Sequence, residues 1–467
     1  MTPLAAGAAI LLFACSASAV QSSKAATPRA TIQQNRPIER IFQEWLHAFN
    51  SNDPAIIKMF YAKYLDDPNP AFAIENAQDS CGLTVDRILD RSPTSMTVLL
   101  QQRCLPGLQR AKIELATPNS TKLKALDVIP LALPGDGSIS ACANIASRLA
   151  ARDTFAGSLI VARGHKTLIA RSWGLADRSS RTPMTLDTPM FLASAGKMFT
   201  GVAVLQLVDA GKVDLDAPLG KYLTDYPNKD IAAVTIRQLL THRGGTGDVG
   251  ILGREDGSAR ARVRTIADIV ELNGTRGPDF PPGTKEDYSN FGFILLGAVI
   301  ERVNGGSYYD YVAEHVFKPA GMKNAGFPDR DHLRGVAVGY TTFFGAETKL
   351  VPNLDVLPWR GTSAGGGVAS PNDMLRFFNA LEAGKLLSPA MLKLATAPSD
   401  TPWYGMGFVA QGGERPSWGH GGTSYGMDVA LHTYPKNDTT FICMAARDSV
   451  CNRLIFAYDF RAFGPPK

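Results

Sequence analysis

Phe191-Leu192-Ala193-Ser194-Ala195-Gly196-Lys197-Met198-Phe199-Thr200-Gly201 stands directly before an apolar run that continues to Gly211. A serine hydroxyl is a weak nucleophile at neutral pH and needs a base beside it. Residues three apart share a helix face, so a helix starting here brings the Lys197 amine within reach of the Ser194 hydroxyl. A helix start also surrounds the serine with unpartnered backbone N–H groups and the positive end of the dipole. That is a setting for acyl transfer. Met198, Phe199, Val202, Leu205 and Val208 recur at helical spacing and predict the buried stripe of an amphipathic helix that Gly211 ends.

A chain of this size holds roughly one or two Ser-x-x-Lys matches by accident, so the motif needs company. Pro281-Pro282-Gly283 is a turn signal, and it leads to Tyr288-Ser289-Asn290 just before a helical run over 291–303. A phenol near an ammonium group can shuttle protons, and an Asn amide can hold a substrate carbonyl. Tyr226-Pro227-Asn228 matches the same pattern and reads as a turn. Gly419-His420-Gly421-Gly422-Thr423 lies between predicted strands near the C-terminus. Its glycines let the backbone approach a ligand closely, and an N–H just after them can complete an oxyanion hole with that of Ser194. His420 is placed to offer positive charge or a hydrogen bond to substrate or to Tyr288. His242-Arg243-Gly244-Gly245 is a competing copy at a predicted helix end and reads as a structural loop.

Around these motifs the pattern divides the chain. Residues 1–19 read as a signal peptide, with an apolar stretch over 5–14 and Ala17-Ser18-Ala19 as its cleavage site. Leu12-Phe13-Ala14-Cys15 resembles a lipoprotein box, so a membrane anchor arises only if Cys15 is lipidated. Residues 20–36 are polar and read as a linker. Residues 37–132 read as a small α+β domain: Ile41, Phe42, Trp45, Leu46 and Phe49 mark a first helix, 55–64 a second, and 83–89, 95–104 and 111–116 a meander. Residues 138–465 read as the catalytic domain. A helix over 138–151 precedes a hairpin about Gly164-His165-Lys166, and 213–390 is rich in helices and loops. Strands at 405–410, 428–434 and 440–445 and a helix over 450–460 close the chain. Strand-forming sequence at both ends, with helices between, predicts one antiparallel sheet closed by the two termini and flanked by helices.

Composition limits the partners. With 467 residues, 45% hydrophobic and 19% charged, the chain has ample core. Its net charge of +5 is scattered, which excludes a nucleic-acid stripe or a polybasic membrane anchor. No Cys-x-x-Cys or His-x-x-x-His spacing points to a metal. The partner expected is a small-molecule or peptide substrate, with no cofactor. Cys81 and Cys104 fall on neighbouring predicted strands and can bridge. Cys443 and Cys451 are the closest of the remaining cysteines, with Cys142 left over, although sequence does not fix connectivity.

Ser194-x-x-Lys197, Tyr288-Ser289-Asn290 and His420-Gly421-Gly422, in that order, resemble the serine β-lactamase-related superfamily, nearest its class C, esterase and D-amino-acid peptidase branch. Leu239-Leu240-Thr241-His242, Tyr288-Ser289-Asn290-Phe291-Gly292 and Ala364-Gly365-Gly366-Gly367-Val368 are similar to that branch too. The resemblance implies a β-lactamase/transpeptidase-like α/β (α+β) fold with a helical subdomain and a covalent acyl-enzyme on Ser194. It implies Lys197 as the proton acceptor or relay, Tyr288 as the proton donor to the leaving group, Asn290 as the substrate-orienting amide and Thr423 as the second oxyanion donor. The third motif departs from the Lys-Thr-Gly of penicillin-processing members. Histidine is mostly neutral at pH 7, which weakens carboxylate capture and favours an esterase or D-aminopeptidase-like reading over an efficient β-lactamase. The alternatives are a penicillin-binding or sensor protein with little turnover, and a non-enzymatic scaffold. Phe42-x-x-Trp45-Leu46-x-Ala48-Phe49-Asn50-x-x-Asp53 loosely resembles the first helix of nuclear transport factor 2-like (SnoaL-like) cones. Export to the periplasm or outside the cell follows from the first residues.

Overall fold

The computed structural model describes residues 36–66, 69–248, 263–343, 349–399 and 401–464. The expected signal peptide, most of the expected linker and Cys15 lie outside the described residues.

The first unit has helices α1 (Pro37–Asn50), α2 (Pro54–Tyr64) and α3 (Ala71–Ser80), then strands β1 (Leu83–Arg91), β2 (Ser95–Gln102), β3 (Leu108–Leu115) and β4 (Leu123–Pro130). The strands form an antiparallel meander in sequence order. Phe42, Trp45 and Phe49 of α1 pack on Val98 and Ile113 of the sheet. Pattern reading found two helices and three strands here; α3 and β4 are additions. The sequence of α3, Ala-Phe-Ala-Ile-Glu-Asn-Ala-Gln-Asp-Ser, carries two large apolar residues, too few for a stripe. Cys81 and Cys104 are bridged, but neither sits on a strand. Cys81 is the left-handed cap of α3, and Cys104 follows β2.

The second unit begins with α4 (Gly137–Ala151) and the hairpin β5 (Gly157–Arg163) and β6 (Lys166–Trp173). It ends with β7 (Val409–Gln411), β8 (Ser417–Ser424), β9 (Met427–Tyr434) and β10 (Thr439–Ala445). Their order in one antiparallel sheet is β7-β8-β9-β10-β5-β6, so the last strand pairs with the first hairpin, Cys443 opposite Leu159. Successive residues of a strand point to opposite faces. Leu159 and Val161 therefore face α4 and the C-terminal helix, whereas Ile160 faces the large helical core. A sheet covered on both faces reads as near-continuous apolar sequence, as β5 and β10 do.

Four helices complete the part of the framework that holds the site: α5 (Lys197–Asp209), α6 (Ile236–Leu240), α7 (Asn290–Asn304) and α8 (Pro371–Glu382). Helix α5 was expected to be amphipathic. Its buried face is instead much wider: Thr200, Gly201, Ala203, Val204 and Leu207 are enclosed along with Met198, Phe199, Val202 and Leu205, while Val208 is half-buried and only the last turn reaches solvent. A helix apolar all round belongs in a core. Gly201 permits this, since a Cβ there would lie 2.5 Å from the Met406 carbonyl oxygen.

The C-terminal helix, α9 (Cys451–Phe463), joins the two units. Arg453 pairs with Asp79 at 2.7 Å and donates to the Glu75 carbonyl at 3.1 Å. Arg461 donates to Gln102 Oε1 at 3.0 Å, and Phe460 packs on Phe72. A second disulfide, Cys443–Cys451, ties α9 to β10, and Cys142 is a buried free thiol. No helix among the described residues is long and apolar enough to cross a membrane.

Candidate active site

Ser194 does not sit on the helix proper. It is the second residue of a 3₁₀ turn, Ala193–Gly196, that leads into α5. Ala193 takes a positive φ of 45° to start it. The turn is clasped by the Ala364–Gly367 loop, whose Gly366 N–H donates to the Ala193 carbonyl at 2.7 Å. Gly365, Gly366 and Gly367 all have positive φ, and a Cβ on Gly365 would lie 2.6 Å from the Ala193 oxygen. Only glycine meets both demands.

Lys197 opens α5 one turn on, fully enclosed. Its Nζ lies 3.4 Å from Ser194 Oγ and 2.6 Å from Asn290 Oδ1, and it also donates to the Ala364 carbonyl. Burial pushes its pKa down to about 7, against an opposing pull from Asp248. A neutral amine has two N–H groups and one lone pair. The Asn290 and Ala364 oxygens take the two N–H groups, which leaves the lone pair toward the Ser194 hydroxyl.

Asn290 is the first residue of α7, and Ser289 caps that helix by accepting from the Gly292 N–H. The Asn290 amide nitrogen donates to both Asp248 oxygens, at 3.0 and 3.2 Å, which fixes its carbonyl toward Lys197. Tyr288 places its ring 4.7 Å from Lys197 Nζ. Its buried hydroxyl makes no hydrogen bond of normal geometry among the described residues. Burial raises that phenol well above its ordinary range, while the Ser194 hydroxyl beside it works the other way. It therefore stays protonated.

The His420 stretch lies within β8 rather than between strands. Its glycines, poor strand formers, hid it. A Cβ on Gly422 would lie 2.9 Å from Ser194 N and 2.3 Å from the Leu192 oxygen, so the strand runs hard against the serine turn. The Tyr425-Gly426 turn pairs Ser424 with Met427, and bonding then alternates along β8 and β9. The Thr423 N–H consequently points away from β9, to the side where Ser194 stands. Ser194 and Thr423 line one cavity.

His420 does not occupy the position expected of it. It is 3% exposed, its Nε2 shares a hydrogen bond with the Tyr404 hydroxyl at 2.9 Å, and its Nδ1 lies 2.5 Å from the Gly421 oxygen. Burial, with Lys197 nearby, pushes its pKa down to about 3. It offers no positive charge, and it contacts neither the cavity nor Tyr288 by a hydrogen bond. His242 is more than the structural loop residue that its motif predicts. It does follow a helix end, yet it belongs to the site. Its ring packs on Tyr288 at 4.3 Å and Tyr404 at 4.4 Å, and its Nδ1 accepts from the Ser289 N–H at 3.1 Å. Burial holds it neutral. Tyr226-Pro227-Asn228 takes no part: Asn228 caps a short helix, 229–232.

The cavity before Ser194 measures about 260 Å³. Asp248 and Asn290 flank its reactive end, and Trp359, Arg360 and Arg330 stand among its other walls. Nothing in the sequence pattern had singled out Asp248, Tyr404 or Arg360, which are isolated residues in loops. Among the described residues no cluster of His, Cys, Asp and Glu is arranged to hold a metal.

Residues 143–456 match the Beta-lactamase family model. Esterase EstB of Burkholderia gladioli is 31% identical over 302 residues, which span 58% of this chain and 74% of that one. A D-aminopeptidase of Brucella anthropi is 29% identical over 58% of this chain and 52% of its own length. The crystal structure of a penicillin-binding protein from Bacillus halodurans superimposes with a TM-score of 0.60 at 29% identity, over 67% of this chain and 98% of that one.

Proposed function

From the premise that this chain belongs to the β-lactamase family and is a serine hydrolase, we propose that Ser194 is its nucleophile and that it cleaves esters or peptide amides. One observation carries the reading: a fully buried amine, with a pKa of about 7, held between the Ser194 hydroxyl and two carbonyl oxygens.

In this reading Lys197 takes the Ser194 proton as Oγ attacks the acyl carbon. The Ser194 and Thr423 N–H groups receive the oxyanion. Such a donor is worth about 2.7–4 kcal/mol to the transition state. Tyr288, kept protonated by burial, passes its proton to the leaving oxygen or nitrogen and regains one from Lys197. The C–O or C–N bond breaks and an acyl-Ser194 ester remains. Water then attacks that ester, Tyr288 and Lys197 carry its proton to Ser194 Oγ, and the acid departs. Asn290, braced by Asp248, orients Lys197 and the substrate carbonyl.

His420 argues against an efficient β-lactamase, because a buried neutral imidazole turned to Tyr404 does not hold a carboxylate. The EstB and D-aminopeptidase relatives favour esters and aminoacyl amides as first substrates. We place the protein outside the cytoplasm, since two disulfides suit an oxidising compartment and residues 1–19 read as a signal peptide.

The test is a panel of p-nitrophenyl esters, D- and L-aminoacyl p-nitroanilides and a chromogenic β-lactam, with acid-quenched mass spectrometry of the protein. Turnover of an ester or amide with an acyl mass on the Ser194 peptide is expected. Acylation by the β-lactam with no turnover of any substrate would favour the penicillin-binding reading. Turnover with the acyl mass on another peptide would refute the assignment.

A further inference from the structure

Two guanidinium groups, those of Arg330 and Arg360, share the cavity with Ser194. Arg330 opens a short turn, Arg330–His332, and Arg360 follows Trp359 on the facing segment. The two segments are stitched together: the Arg330 N–H donates to the Trp359 carbonyl at 2.7 Å, and the backbones of Asp329 and Arg360 form an isolated antiparallel β-bridge. Among the described residues neither arginine forms an ion pair. Asp329 acts on Arg360 through space, while its carboxylate accepts hydrogen bonds elsewhere. The Asp329 carboxylate is taken by His332 Nδ1 at 2.6 Å and by the Asp331 N–H at 3.1 Å. Asp268 is held by the Arg264 and Thr265 N–H groups, and Glu301 by the Tyr308 N–H.

Arg360 is held in place without a direct ion pair among the described residues. Its guanidinium stacks on the Tyr309 ring at 4.5 Å, and its Nε is buried with no hydrogen-bond partner. The cavity lining also includes the apolar side chains of Phe191, Leu333, Leu357 and Pro358. The acid of the cavity, Asp248, accepts from the Asn290 amide beside Ser194. At about 260 Å³ the space lies near the small end of ligand cavities.

We infer that Arg360, assisted by Arg330, forms an anion-binding end of this cavity, so that the preferred substrate carries a carboxylate or similar acid group a few apolar carbons from the scissile carbonyl. The planar fork of arginine accepts such a group on two N–H donors. The inference rests on the hydrolase reading above and specifies its substrate class.

The experiment compares p-nitrophenyl butyrate with the p-nitrophenyl hemiesters of succinic and glutaric acids, which carry the acid on the acyl side. Phenyl acetate and the acetate ester of 3-hydroxybenzoate test the leaving-group side. Each is measured with wild type, Arg360→Gln, Arg360→Lys and the Arg360→Gln/Arg330→Gln double variant. Wild type should favour the acidic member of at least one arm by about tenfold or more in kcat/KM. That ratio should shrink as salt rises, fall to near one in the double variant through KM, and be kept in part by Arg360→Lys. A wild-type ratio near one in both arms, or a preference that survives the double variant, overturns the inference while the hydrolase reading stands. Failure to turn over any of these esters counts against both.

Discussion

At the residue scale the chemistry hangs on a lysine that the fold has made unlike other lysines. Burial brings the Lys197 pKa from 10.5 to about 7, where the amine is a base at working pH. The sign follows directly. Only the neutral amine can take the serine proton, so kcat/KM should rise with pH along a limb centred near 7 and fall away below it. Lys197→Ala should cost about 10²–10⁴-fold in turnover and remove that limb, as a pH profile of ester hydrolysis will show. Retention of both rate and limb would assign the base elsewhere. Ser194, Lys197, Tyr288 and Asn290 were legible as a set because they stand in short motifs of fixed spacing. His242 and Tyr404 were not. They act through ring packing on Tyr288 and a hydrogen bond to His420, contacts that leave no local pattern.

At the element scale, β8 and the Ala364–Gly367 loop hold the serine turn from two sides. Gly422→Ala tests the strand side. Its Cβ would enter the Leu192 oxygen and crowd Ser194 N, and both are backbone, so the turn must shift. We expect kcat to fall by about 100-fold as an oxyanion donor is misplaced, with a stability loss of only about 1–3 kcal/mol from overpacking. Steady-state kinetics beside a denaturant melt will separate the two. A full loss of fold, or an unchanged kcat, would contradict the geometry. The strands missed in the sequence were those whose residues hide the alternation, β8 through its glycines and β4 through mixed polarity. That one sheet is closed by the two ends of the catalytic unit was legible because the long strand runs stand at those ends, although the order of its strands was not. Helix α5 was misread as amphipathic because its smaller residues, Gly201 and Ala203, give no sign of being buried as deeply as Phe199.

At the scale of the whole molecule, two cores meet along α9, and the Arg453–Asp79 pair is the most enclosed ion pair between them. Arg453→Ala leaves the Asp79 carboxylate without this partner and should lower stability by about 1.5–3 kcal/mol, read as a denaturant midpoint, with activity per folded molecule unchanged. Acid should also weaken the fold. His420 and His432 are pushed down to about 3 and about 4, and His242 is held well below 6.5, each first by burial. The unfolded chain binds protons at these sites from 6.5 downward while the native chain does not, so stability present above 6.5 is lost as pH falls toward 3. Asp459, pushed up to about 6 by burial, works in the opposite sense between 6 and 3.8, and Glu75, Glu301, Glu382 and Asp428, raised by burial, join it nearer their own ordinary range, below the 6.5 at which the histidines of the unfolded chain charge. Urea midpoints at pH 7 and pH 5 should therefore fall with acid, and an equal or higher midpoint at pH 5 would contradict the neutral, buried assignment of the histidines.

The central claim is an activated serine at position 194, and covalent labelling tests it most directly. Wild type and Ser194→Ala, treated with a fluorophosphonate probe at pH 8 and weighed intact, should differ by a single adduct: one on wild type and none on the variant, whose circular dichroism is unchanged. An adduct that persists on Ser194→Ala, or none on a folded wild type, would contradict the account.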